Sequence, residues 1–250
     1  QLFGNSVAPL LISPQGYCKS TFCRRILPDE LAWGYTDNLQ LQEKRQVMQA
    51  MSQQLLINLD EFNQISPSIQ QGFLKNIIQL PNVKVKRPYG SHVEMFPRTA
   101  SFIATSNMTD ILADPSGCRR FMGVELTAPI DVSHVPNHRQ LYAQALAALH
   151  RGERHWFNAE ETQLIMLNNA RYEVRQPIDE YFRALFELTD DERKGRYMSA
   201  AQIFDHLRKH IGSSVKISSF MSFGRKLSQT RGIRRRRSKA GMEYLVVKRD

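Results

Sequence analysis

The sequence has no uninterrupted apolar run near the roughly 20 residues that a membrane-spanning helix needs. Its first thirty residues also lack the charged, apolar and small-residue order of a secretory signal, so a soluble protein of the cell interior is expected. Cysteine is scarce: Cys18, Cys23 and Cys118 are odd in number and have no metal-ligand spacing, which argues against a disulfide framework and a zinc site and predicts reduced thiols. The histidines are scattered, and His134 and His138 have no acids or cysteines at ligand spacing, so they are expected to be solvated or core residues. Internal repeats and low-complexity tracts are absent. The chain begins at Gln1 and not at Met, as a fragment or a processed product would.

What is present is a globular composition, 42% hydrophobic and 23% charged over 250 residues, enough for one large domain or two modest ones. The net charge of +10 is unevenly placed. Residues 195–250 hold 14 Lys and Arg against three acids, a net of +11, which leaves residues 1–194 at −1. Two electrostatic bodies are therefore expected, with their boundary near the acid-to-base switch at 189–195. The division expected is a first domain over 1–150, a helical connector over 151–194 and a basic domain over 195–250.

In the first half, Pro9–Ser13 reads as a short buried strand, 14–21 as a loop, and the run from Phe22 to Leu27 as a helix. Strand, loop, Lys-Ser and helix is the order of a phosphate-binding P-loop. Lys19 would reach the outer phosphates, Ser20 would bind Mg²⁺, and Gln15, Gly16, Tyr17, Cys18 and Thr21 would complete the loop. Ser13 and Cys18 stand at the two glycine positions of G-x-x-x-x-G-K-[ST], and Cys18 must either crowd a phosphate or take a backbone conformation that favours glycine. Gln54–Glu61 is an apolar strand ending in two acids, with Asp60 suited to Mg²⁺ and Glu61 to the attacking water. A buried strand with solvated acids at its tip is the plainer alternative. A third strand, Ala100–Asn107, ends in Thr-Ser-Asn, where Asn107 can hydrogen-bond a γ-phosphate or the water. Arg119 and Arg120 follow a loop and are either phosphoryl-charge stabilisers or surface ion-pair partners.

These segments carry a resemblance. Leu11–Phe22, Asn58–Phe62, Thr105–Thr109 and Asp114–Phe121, in this order, together with Trp156–Glu161 and Asn168-Asn169, resemble the virulence-associated protein E family over about residues 5–170. The resemblance implies an α/β P-loop ATPase core of the AAA+ or superfamily 3 helicase kind, a cytoplasmic protein of bacterial or phage origin, ATP and Mg²⁺ as cofactors, and a homo-oligomeric ring of subunits, with a hexamer as one form. It also implies that Lys19 and Ser20 bind phosphate and metal, that Asp60 and Glu61 are the Walker B pair, that Asn107 is a sensor, and that Arg119 or Arg120 is an arginine finger. Val83–Met95 reads as a β-hairpin about Pro-Tyr-Gly. By analogy with superfamily 3 helicases its Lys84, Lys86 and Arg87 contact DNA; a solvated hairpin is the alternative.

In the basic domain, Ser199 and Gln202 form a capping box ahead of a helix with Ile203, Phe204, Leu207 and Ile211 on one face, ended by Gly212. A second helix fits Ser218 or Ser219 as cap, with Phe220, Phe223 and Leu227 inward and Arg225 and Lys226 outward. Two strands about Lys239-Ala-Gly follow. Helix, helix and basic hairpin is the order of a small α+β winged helix. Arg225, Lys226, Arg234, Arg235, Arg236, Arg237 and Lys239 are its candidate DNA contacts, and the four consecutive arginines cannot belong to a buried strand. A protein-interaction module or a basic tail is the alternative. The functions expected are a DNA-associated, helicase-like ATPase of a phage or mobile element, a DNA-binding regulator with an inactive P-loop, or an ATP-driven anti-phage switch.

Overall fold

A computed structural model describes residues 5–86, 90–113, 118–174, 177–211, 220–230, 232–238 and 241–249. The chain divides into two compact units, Gln1–Glu173 and Val174–Asp250. In chain order the first holds β1 (Ala8–Ile12), α1 (Lys19–Arg24), β2 (Tyr35–Thr36), α2 (Lys44–Gln53) and β3 (Leu56–Leu59). Next comes α3 (Pro67–Ile69), which runs through a π turn at Gln70–Leu74 into α4 (Lys75–Ile77). Then follow β4 (Asn82–Lys86), β5 (Val93–Pro97), β6 (Ser101–Ser106), β7 (Phe121–Glu125), α5 (His138–His150) and α6 (Ala159–Asn169).

Five of these strands form one parallel sheet in the order β2-β3-β6-β1-β7. Their runs are continuously apolar because a parallel sheet is covered on both faces. Alternation along each strand then sorts the core into two layers. Leu10 and Ile12, Ile57 and Leu59, Phe102 and Ala104 pack on α2 through Val47 and Met51. Leu11, Leu56 and Ile103 face Cys23 of α1. The edge strand β7 is held by α6: Asn169 is buried, accepts from Gly123 N at 3.0 Å and donates to the carbonyls of Cys118 and Phe121, while Asn168 donates to Gly123 O at 2.8 Å. A side chain at Gly123 would meet the Tyr172 ring at 2.4 Å, so this approach requires glycine.

The second unit holds α7 (Pro177–Leu185), β8 (Phe186–Leu188), β9 (Arg196–Ser199), α8 (Ala200–His210), α9 (Phe220–Gln229), β10 (Arg235–Ser238) and β11 (Gly241–Lys248). β11 pairs antiparallel with β10, β9 and β8. The expected capping box is present at Ser199 and Gln202, and Ile203, Leu207 and Ile211 are buried beneath it. The stretch 151–194 does not stand alone as a helical connector. Its α6 packs on β7 in the first unit, and its α7 and β8 belong to the second, because each has an apolar face that a sheet must cover. The helix expected from Phe22 begins at Lys19. Gly212, Ser218, Ser219 and most of the expected Pro-Tyr-Gly and Lys-Ala turns lie outside the described residues. No helix among the described residues is long and apolar enough to cross a membrane.

Candidate functional site

The order β3-β6-β1 sets three strand ends side by side. Registers pairing Leu59 with Ala104 and Ile12 with Ser106 bring Asp60, Asn107 and the loop after β1 to one edge, at the carboxyl ends of the strands. There they line a cleft of about 320 Å³ together with Gln15, Gly16, Tyr17, Cys18, Lys19, Ser20, Thr21, Glu61, Thr105 and Ser106. The carboxyl edge of a parallel sheet is where ligands bind in open α/β folds.

Lys19 is the centre of this arrangement. Its Nζ donates to Ser13 O at 2.9 Å, Ser13 Oγ at 2.9 Å, Pro14 O at 3.0 Å and Asn107 Oδ1 at 3.0 Å. Burial lowers its pKa from the ordinary lysine value, and the Asp60 carboxylate opposes the shift. Ser20 Oγ donates to Asp60 Oδ1 at 3.1 Å, and Thr105 Oγ1 donates to the same carboxylate. Ser13 therefore does more than replace a glycine, since its two oxygens hold the lysine. Cys18 takes the left-handed conformation, φ 60° and ψ 23°, directly before α1, and Gly16 is left-handed at φ 84°. Glu61 is left-handed at φ 49°, and its carboxylate accepts from Gln64 Nε2. Beneath the site, burial and then the Asp60 charge push the Cys23 thiol up to about 12, so it is chemically inert at neutral pH.

The predicted nucleotide and metal residues thus converge, and the arginines stand apart. Arg119 is exposed and Arg120 is buried at 9% exposure, and neither lines the cleft. Lys84 and Lys86 project to solvent from β4, whose Val83 and Val85 point inward, and Lys86 pairs across the hairpin with Val93. Arg87, Lys239 and the side chains of Arg225 and Lys226 lie outside the described residues. The four arginines follow the edge of the second sheet. Arg234 pairs with Glu192 at 2.8 Å, Arg236 with Glu243 at 2.9 Å while lying 3.8 Å over the Tyr197 ring, Arg235 donates to Ser228 O at 2.8 Å, and Arg237 is exposed. Sequence reading missed Ser13, Thr105 and Gln64 as site residues. The i, i+3 spacing of Glu61 and Gln64 was a usable signal, whereas the bonds from Ser13 and Thr105 depend on strand order.

The virulence-associated protein E-like domain model matches residues 5–174. The chain belongs to that family. The matched segment ends one residue past the first compact unit, and a second model, a domain of unknown function described from a B. Theta gene (DUF3874), matches residues 175–246. No curated protein matches. Among solved structures the chain is similar to the apo C-terminal region of NrS-1, at 12% identity over 99% of this chain and 68% of that one, with a TM-score of 0.48. The A form of that region is 17% identical over 68% of this chain and 35% of that one, with a TM-score of 0.40. The chain thus spans about a third of that neighbour's length.

Proposed function

We propose that residues 5–173 are a P-loop ATPase core of the AAA+ or superfamily 3 helicase kind, and that the second unit is a DNA-binding winged helix serving replication of a phage or mobile element. The observation that supports this best is the meeting of Lys19, Ser20, Asp60 and Asn107, which lie up to 88 residues apart, through bonds of 3.0 and 3.1 Å. The donor set fits Mg²⁺·ATP: a buried ammonium, a hydroxyl against a carboxylate as hard oxygen ligands, and a loop with two left-handed residues ahead of α1.

Mg²⁺·ATP, when bound, supplies the phosphoanhydride and a counter-charge to it. Lys19 would leave the Ser13 and Pro14 oxygens for the outer phosphates, Ser20 and Asp60 would hold the metal, and Asn107 would orient the γ-phosphate or the water. Glu61 orients and deprotonates the attacking water once its carboxylate is released by Gln64. Arg119, exposed and outside the cleft, fits service to a neighbouring copy better than Arg120, which is buried. Ring assembly, with a hexamer as one form, belongs to this reading. In the second unit the order α7, β8–β9, α8, α9, β10–β11 and the exposed arginine edge support DNA binding.

The rival is a DNA-binding module with an inactive loop, and the Cys18 side chain in the cleft favours it. ATP binding and turnover decide between them. Wild type is expected to bind and hydrolyse Mg²⁺·ATP, Lys19→Ala to lose binding, and Glu61→Gln to bind while turnover falls about 100-fold or more. Turnover unchanged in both variants removes the catalytic assignment. DNA binding with no nucleotide binding establishes the rival.

A further inference from the structure

A buried hydroxyl holds the carboxylate of Asp60 from within the sheet. Thr105 is 2% exposed and follows the buried apolar run Phe102, Ile103 and Ala104 in β6. A threonine at such a position costs stability unless its hydroxyl is hydrogen-bonded. The bond goes to Asp60, whose Oδ1 accepts from Thr105 Oγ1. Register explains the meeting. Leu11 pairs with Thr105 and Leu59 with Ala104, so the next residue of β3, Asp60, comes level with Thr105. Side chains at one level of a parallel sheet point to one face, and Leu11 marks it as the face that Cys23 of α1 covers. Ser20, also of α1, meets the same carboxylate there, its Oγ lying 3.1 Å from Oδ1 and 3.3 Å from Oδ2.

The two hydroxyls have different duties. Ser20 stands at the head of α1, where its oxygen is available to a metal as well as to Asp60. Thr105 is buried at the floor of the cleft, with its proton committed to Oδ1. An aspartate carboxylate turns about two side-chain torsions, so a single bond from Ser20 leaves it free to pivot. The second bond, from a strand interior, fixes the plane of the carboxylate and leaves Oδ2 the more lightly held oxygen. Two residues further along the same strand direction, Asn107 Oδ1 accepts from Lys19 Nζ at 3.0 Å. The tip of β6 thus holds the phosphate lysine through one side chain and the metal carboxylate through another.

Resting on the nucleotide reading above, we infer that Thr105 is a positioning residue for the divalent metal. It acts through Asp60, and it sets the affinity of the site for Mg²⁺ without contributing to the affinity for nucleotide alone. Donors that orient a metal-binding carboxylate change metal affinity by about 10- to 100-fold when they are removed.

Binding of a fluorescent, non-hydrolysable ATP analogue to the 250-residue chain tests this, titrated with Mg²⁺ and repeated in EDTA. Thr105→Val keeps the branched shape that suits a strand and removes the hydroxyl. The Mg²⁺ concentration needed for half of the full effect is expected to rise at least about tenfold, while affinity in EDTA stays at the wild-type value. Thr105→Ser, which keeps the donor, is expected to restore the wild-type Mg²⁺ dependence. A Val variant with the wild-type dependence overturns the assignment. So does one that loses affinity equally in EDTA and in Mg²⁺, the mark of a merely structural role. If circular dichroism shows that Thr105→Val has lost its fold, Thr105→Ala takes its place with the same outcomes. Asp60→Asn separates the two readings. If Asp60→Asn abolishes the Mg²⁺ dependence and Thr105→Val leaves it intact, the role of Thr105 alone falls. If wild type and Asp60→Asn alike show none, the metal and nucleotide reading falls, and the role of Thr105 with it.

Discussion

Cys18 and Lys19 are neighbours whose backbone and charge are both set by the loop around them. Cys18 is held at φ 60°, where a non-glycine residue costs roughly 1–2 kcal/mol. Cys18→Gly relieves that strain and gives back part of it as extra freedom in the unfolded chain. A net gain of about 0.5 kcal/mol, or about 1–2 °C in Tm by calorimetry, is expected, with tighter nucleotide binding as the cleft widens. Cys18→Val, β-branched at a positive φ, should lower Tm instead. The lowered pKa of Lys19 predicts a pH dependence. Phosphate affinity should fall as pH rises, starting below the ordinary lysine range, while Lys19→Arg shows no such decline; isothermal titration across alkaline pH reads both. The stability term has the opposite sign. Between the native and the ordinary lysine pKa the unfolded chain binds more protons, so this group's contribution to stability rises with pH.

At the scale of elements, the docking of α6 on β7 positions the segment carrying Arg119 and Arg120. Asn169 closes it through three bonds to backbone groups of 118–123, all inside the fold. Asn169→Ala removes those three bonds and should cost about 3 kcal/mol by urea denaturation, with nucleotide affinity altered less than stability. Asn169→Asp should also destabilise, because a carboxylate cannot donate to the Cys118 and Phe121 carbonyls. The pair Asn168-Asn169 was visible in the chain as part of a family resemblance. Its job was not, since an asparagine within a helix gives no sign of which strand edge it will meet.

Across the whole molecule, the two compact units should be separable in function. DNA affinity in filter binding is expected to fall with salt, and Lys19→Ala should leave that slope unchanged. Arg237→Ala should reduce the slope by about 1, whereas Arg236→Ala should reduce it less, because Arg236 is already paired with Glu243 and stacked on Tyr197. The linear chain was enough to determine the elements: continuous apolar runs for β1, β3 and β6, alternation for the hairpin β4–β5, a capping box for α8, and the placement of basic charge after residue 195. These depend on neighbours within a few positions, which is as far as periodicity and capping reach. Where the units divide was not legible, because 151–194 contains helices whose partners lie elsewhere in the sequence. Tertiary structure alone decided that β6 stands between β3 and β1, which brings Asn107 to Lys19 and Thr105 to Asp60. Strand order and the covering of a helix face are set by contacts between segments far apart in the chain, and no local pattern encodes them.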